Sequence, residues 1–182
     1  GSSRFPGKPL IDLKGKTMIQ RVVEGALKSE LISNVVVATD DQRIFDTVKS
    51  FGGEVMMTDP NHPSGTDRCA EVARHFSDFD VVINIQGDEP MVDYRQLDQL
   101  VQAFEIKETQ IATLGNKSIT KEDVLNPNRI KIIVDSKNRA MYFSRSPLPN
   151  SDHFKGDALL EYPYMRHIGL YAYRYNVLQE IS

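Results

Sequence analysis

Val81-Val82-Ile83-Asn84-Ile85-Gln86-Gly87-Asp88-Glu89-Pro90 decides how the chain is read. The first five residues are a mostly β-branched apolar run bounded by a turn, the pattern of a buried strand in a parallel sheet. The last five lie at the carboxyl end of that strand, where ligands bind in an open α/β sheet. An acidic residue such as Asp88 can hold Mg²⁺ there while the metal bridges phosphate oxygens. Gly87 lets the backbone approach a ligand. The same residues are also good chemistry for a plain solvated turn. Both readings stand at this level.

Working outward, Val35-Val36-Val37-Ala38-Thr39 is a second β-branched strand. Before it, Met18, Ile19, Val22, Val23, Ala26 and Leu27 recur with helical spacing. After it, Ile44, Val48 and Phe51 do the same, and Gly52-Gly53 ends that helix. Glu54 to Met57 is a short strand. Thr66 is a candidate cap for a helix that turns Cys69, Val72, Ala73 and Phe76 inward. Leu97, Leu100, Val101 and Phe104 mark another helix, and Ile111 to Leu114 a strand. Arg129 to Asp135 and Ala140 to Arg145 read as a hairpin around Ser136-Lys137-Asn138-Arg139. Ser146 to Pro163 is loop-like, and Met165 to Tyr175 is a long strand. The fold expected is α/β, with a mostly parallel central sheet and an antiparallel hairpin excursion. We expect one domain over residues 1–182, with a first strand and a C-terminal segment lying outside these residues.

With 182 residues, the chain is long enough to bury about 70% of its unfolded surface. Hydrophobic residues make up 40% and charged residues 26%, which argues against disorder, collagen and coiled coil. A net charge of -3 makes nucleic acid an unexpected partner. The longest apolar runs are too short to span a membrane. Cys69 is the single cysteine, so an internal disulfide and a multi-cysteine zinc site are excluded. A reducing compartment is expected.

Four further segments carry candidate chemistry. Gly1-Ser2-Ser3-Arg4-Phe5-Pro6-Gly7-Lys8-Pro9-Leu10 puts small residues and two cations in one loop, suited to an anion but equally to a solvated terminus. Ser64-Gly65-Thr66-Asp67-Arg68 stands at the mouth of a helix, where backbone groups and Arg68 can read a base or a phosphate, or where a capped helix simply begins. Arg166-His167-Ile168-Gly169-Leu170-Tyr171 would place His167 and Tyr171 on one face of a strand; Tyr142-Phe143-Ser144-Arg145 is similar. Gly15-Lys16-Thr17 imitates the end of a P-loop, but that motif needs glycine where Leu10 stands. Lys14 to Lys16 is instead a turn, with Thr17 as a helix cap. His62, His75 and His153 have no metal-ligand spacing, Cys69 reads as a small core residue, and no Gly-x-Ser-x-Gly nucleophile elbow occurs.

These segments, together with Ala38-Thr39-Asp40 and Asn126-Pro127-Asn128, occur in an order that closely resembles the 3-deoxy-manno-octulosonate cytidylyltransferase (CMP-Kdo synthetase) family over nearly the whole chain. The resemblance implies a glycosyltransferase-A-like nucleotidyltransferase fold, Mg²⁺ as cofactor and a cytoplasmic homodimer. It also implies the coupling of CTP to 3-deoxy-manno-octulosonate (Kdo), giving CMP-Kdo and pyrophosphate for lipopolysaccharide synthesis. By the same resemblance Ser3, Arg4 and Lys8 contact the nucleotide, Arg4 and Lys8 reaching its triphosphate, and Asp88 holds the metal. Ser64, Gly65 and Arg68 form the cytosine side. Gln86, His167 and Tyr171 face the sugar, with Arg145 as a further candidate. A cytidylyltransferase for another acidic sugar such as sialic acid is the nearest rival. A glycosyltransferase that consumes a nucleotide sugar is the next, although it would carry an Asp-x-Asp pair where Asp88 is followed by Glu89-Pro90.

Overall fold

A computed structural model describes residues 7–148 and 162–182. The chain divides into two compact units, Gly1–Ala112 with Leu170–Ser182, and Thr113–Gly169.

In the first unit, helix α1 (Met18–Ala26) is capped by the Thr17 hydroxyl, which accepts from the Gln20 amide at 3.3 Å. Its apolar stripe of Met18, Ile19, Val22, Val23 and Ala26 is buried. Strand β1 (Val36–Thr39) leads to helix α2 (Gln42–Ser50), capped by Asp41. Gly52, with a φ of 79°, ends that helix in the left-handed region. A Cβ on Gly53 would lie 2.7 Å from both Val48 and Phe51. Strand β2 (Glu54–Met57) pairs with β1 in parallel, Val36 opposite Glu54 and Thr39 opposite Met57. Ile19, Val23, Val37, Val48 and Val55 close a core between this pair and α1 and α2.

Helix α3 (Gly65–Ala73) is capped by Ser64, whose hydroxyl accepts from the Thr66 and Asp67 amides. The cap is therefore Ser64 and not Thr66: Ser64 keeps the extended backbone a cap needs, while Thr66 is already inside the first turn and supplies a donor. Strand β3 (Val81–Asn84) follows, then helix α4 (Tyr94–Gln102) with Leu97 and Leu100 buried. The far half of the last strand returns antiparallel to β3, Val81 opposite Arg174 and Asn84 opposite Tyr171. A closing helix, α6 (Tyr175–Glu180), drives Leu178 into a core with Ala70, Ala73 and Tyr173. Full burial of one such leucine contributes about 1.5–3 kcal/mol.

In the second unit, helix α5 (Lys121–Leu125) begins with a reciprocal capping box between Thr120 and Asp123. Strands β5 (Lys131–Val134) and β6 (Ala140–Ser144) form the expected antiparallel hairpin. Its turn is held by the Asp135 carboxylate, which accepts from the Lys137 and Arg139 amides, and Asn138 adopts a left-handed φ of 58°. Strand β4 (Ile111–Asn116) enters this unit, and strand β7 (Arg166–Arg174) leaves it, with Arg166 opposite Lys131. A Cβ on Gly115 would run into the Met165 side chain, which packs over this glycine and would have to shift.

The α/β class is as expected, and the parallel expectation holds for β1 with β2. The pairs β3–β7, β5–β6 and β5–β7 are antiparallel, because the hairpin excursion sends β7 back against the direction of β3. Short helix α5 has no counterpart in the sequence reading, since its five residues are too few to show a helical period.

Candidate active site

The first unit holds a cavity of about 1030 Å³ that runs along β1 and β3 and reaches the carboxyl ends of both strands. Its lining includes Lys8, Asp40, Ser64, Arg68, Gln86 and Asp88. Gly65 and Gly87 also border it.

Lys8 opens a 3-10 turn (Lys8–Leu10) that follows Gly7, whose φ of 78° requires the left-handed region. The turn is closed by the Leu10 amide donating to the Gly7 carbonyl at 2.9 Å. This aims the Lys8 ammonium at the loop after β3, where Nζ donates to Asp88 Oδ2 at 2.6 Å. Asp88 sits in a turn closed by the Glu89 amide on the Gln86 carbonyl at 3.2 Å. Both charged side chains are 38% exposed, so the pair contributes less than about 1 kcal/mol to stability. Two opposite charges left within reach of solvent at a strand end are available for a ligand. A Cβ on Gly87 would meet Ile19 at an ordinary 3.5 Å. The fold itself therefore leaves room for a Cβ at Gly87.

Across the same cavity, Arg68 projects from the first turn of α3. Its guanidinium donates through Nη2 to Asp40 Oδ2 at 2.8 Å and through Nη1 to the Thr58 hydroxyl. Arg68 is 13% exposed at its side chain. The Ser64 hydroxyl is committed to capping α3 and to the Asp67 carboxylate, so what Ser64 and Gly65 offer a ligand is mainly their backbone. Gln86 is exposed beside Asp88. His62 is absorbed by Glu71, which accepts from its ring and whose carboxyl is thereby held below the usual range. Burial pushes the Cys69 thiol up to about 11, so it is an inert core group, as expected.

Tyr171 lies in the first unit, stacked on Tyr173 with ring centres 6.3 Å apart; burial and then Tyr173 raise its phenol pKa. His167 and Arg145 belong to the second unit. His167 Nε2 meets the Thr113 hydroxyl at 2.8 Å, and its ring packs edge-on to Phe143 at 4.9 Å. Burial lowers its pKa, so the neutral imidazole is favoured. Arg145 is exposed and donates to the Pro127 carbonyl at 3.2 Å. Ser3 and Arg4 lie outside the described residues, as does most of the loop read over Ser146 to Pro163.

The structure thus brings Lys8, Gln86 and Asp88 together with Ser64, Gly65 and Arg68 around one cavity. Asp40 and Thr58, which hold Arg68, were given no role by the sequence reading. The visible signal was the position of Asp40 directly after a β-branched strand; nothing marked Thr58. Among the described residues, no group of three or more His, Cys, Asp or Glu could by itself hold a metal ion.

A cavity lined by a cation–carboxylate pair and an anchored arginine has the chemistry a nucleotide-handling transferase needs. The chain belongs to the cytidylyltransferase family, whose sequence model matches residues 1–182. It is 45% identical over 177 residues to the 3-deoxy-manno-octulosonate cytidylyltransferase of Vibrio vulnificus (strain YJ016), covering 95% of this chain and 70% of the relative. It is 44% identical over 186 residues to the 8-amino-3,8-dideoxy-manno-octulosonate cytidylyltransferase of Shewanella sp. (strain W3-18-1), covering 100% of this chain and 74% of the relative. A solved CMP:2-keto-3-deoxy-manno-octonic acid synthetase complexed with CTP superposes with a TM-score of 0.89 at 43% identity, covering 100% of this chain and 73% of that one. The family resemblance carried by the ordered sequence segments is borne out.

Proposed function

We infer that this chain couples CTP to 3-deoxy-manno-octulosonate, releasing pyrophosphate and forming CMP-Kdo. The observation that carries the reading is the Lys8–Asp88 pair at a strand-end cavity that also holds Arg68. The anomeric hydroxyl of the sugar attacks the α-phosphorus of CTP, the bond from that phosphorus to the oxygen bridging to the β-phosphorus breaks, pyrophosphate leaves with that bond's electron pair, and the hydroxyl proton passes to solvent. Charge accumulates on the departing pyrophosphate, so the protein's task is positioning and neutralisation.

Lys8 is the group for the outer phosphates, with Arg4 as its partner, and Ser3 adds a contact to the nucleotide. Asp88 is an oxygen donor on an exposed turn. One carboxylate completed by phosphate oxygens and water is the usual environment of Mg²⁺ in a nucleotide site. When bound, Mg²⁺ would supply charge neutralisation at the phosphates. Asp88 would hold it, and Lys8, released from the carboxylate, would turn to the triphosphate. Ser64, Gly65 and Arg68 take the cytosine side. Gln86, Arg145, His167 and Tyr171 are assigned to the sugar acid. The glycosyltransferase-A-like description of the fold belongs to this reading. So does a homodimer. No helix among the described residues is long and apolar enough to cross a membrane, which is compatible with work in the cytoplasm.

A second reading, that the sugar carries an 8-amino group, is favoured by the 44% identity to the Shewanella enzyme. Incubation with CTP, Mg²⁺ and, in turn, Kdo, its 8-amino analogue and sialic acid separates the readings by pyrophosphate release. Release with Kdo supports ours. Release with the amino sugar or sialic acid and none with Kdo would replace it. Cleavage of a nucleotide sugar with no consumption of CTP would replace it by a glycosyltransferase.

A further inference from the structure

Arg68 is tied at two points to strand ends. Asp40, one residue beyond β1, accepts from Nη2 at 2.8 Å, and Thr58, one residue beyond β2, accepts from Nη1. The anchors are themselves fixed. The Thr58 amide donates to the Thr39 carbonyl at 2.9 Å, extending the parallel ladder by one bond. The Thr39 hydroxyl is buried and accepts from the Asp41 amide at 3.1 Å, locking the turn that presents Asp40. A guanidinium held through two of its nitrogens by rigid partners loses its rotamer freedom before any ligand arrives. Arg68 lines the cavity with its guanidinium plane held by these two bonds.

We propose that Asp40 is a positioning residue for nucleotide binding, acting through Arg68 and not by touching the ligand. The proposal rests on the cytidylyltransferase reading above and deepens it. It makes a prediction of sign that simple electrostatics reverses. Asp40 is a carboxylate in the wall of a cavity expected to take an anion. Deleting it makes the cavity more positive, which by charge alone should tighten a nucleotide. Deleting it also frees Arg68 to wander, which should weaken the nucleotide. The proposal holds that the second effect wins.

The test is calorimetric binding of CMP and CTP to the full chain and to Asp40→Ala, Arg68→Ala and the double variant, with Mg²⁺ present. Asp40→Ala should weaken both nucleotides by a similar factor, roughly tenfold, a coupling of about 1.4 kcal/mol. In the Arg68→Ala background that loss should vanish, leaving at most the small tightening that charge alone produces, which a general structural role for Asp40 would not give. Asp40→Glu, which keeps an acceptor for the guanidinium, should recover part of the loss. Tighter or unchanged binding by Asp40→Ala would overturn the proposal, as would an undiminished loss in the Arg68→Ala background. If the unaltered chain binds neither nucleotide, it is the functional reading that fails, a different and distinguishable result.

Discussion

Replacing Lys131 by methionine should destabilise the second unit by about 3 kcal/mol. Lys131 is 1% exposed. Its ammonium donates to three backbone carbonyls, those of Asn126 at 3.0 Å, Arg129 at 2.7 Å and Arg145 at 2.6 Å. These acceptors come from the turn after α5 and from the end of β6, so one side chain joins two segments that share no strand pairing there. None is a carboxylate, and burial accordingly lowers the lysine pKa. Each bond from a charged donor contributes about 1.5–3 kcal/mol net of its lost water bond, so three set an upper bound of about 4.5–9 kcal/mol before the extra cost of burying the ammonium completely. Desolvating the ammonium costs several kcal/mol of that. Methionine removes both terms and keeps the length of the stem, but leaves three carbonyls without this donor, at about 1 kcal/mol each. For a chain of this size the melting midpoint should fall by about 6–12 °C. Urea unfolding followed by far-ultraviolet circular dichroism measures it, with an unchanged m-value showing that the same surface unfolds. A variant as stable as the parent would refute the reasoning, by showing that the ammonium costs as much to bury as its bonds return.

Asp88→Ala should abolish Mg²⁺-dependent pyrophosphate release while leaving the urea midpoint within about 1 kcal/mol of the parent, because the carboxylate is an exposed turn group. Comparable turnover would mean that the metal is held elsewhere. Lys8→Ala should weaken CTP far more than CMP, since its partners are the outer phosphates; equal weakening in a titration would contradict that role. His167 has its pKa lowered from 6.5 by burial, so the unfolded chain takes up this proton first. Its contribution is fully present above about pH 6.5 and is lost as pH falls toward the folded-state value. His167→Gln should flatten that part of the stability–pH profile, and an unaltered profile would show that the ring is not protected.

The strands and the larger helices were legible because burial imposes a period. Val36–Thr39 and Val81–Asn84 are β-branched runs, and α1 and α4 carry apolar stripes. The Asp88 turn and the Lys8 loop were legible as chemistry, but each had an equally good solvated reading. Only the 2.6 Å contact across eighty positions of sequence separates the alternatives for Lys8. Ser64 displaced Thr66 as the cap because a cap is chosen by backbone angle, which a run of two hydroxyl residues near a glycine does not specify.

By itself the sequence determined the α/β class, the hairpin, the order of the motifs and the family they define. These follow from local periodicity, turn residues and residue identity, which act over a few positions. Tertiary structure decided the direction of β7 against β3, the meeting of Lys8 with Asp88, and the grip of Asp40 and Thr58 on Arg68. It also decided the burial of Lys131 among carbonyls. Those are pairings of polar groups distant along the chain. A charged side chain carries the same letters whether solvated or buried, so its partner is fixed only when the chain closes around it.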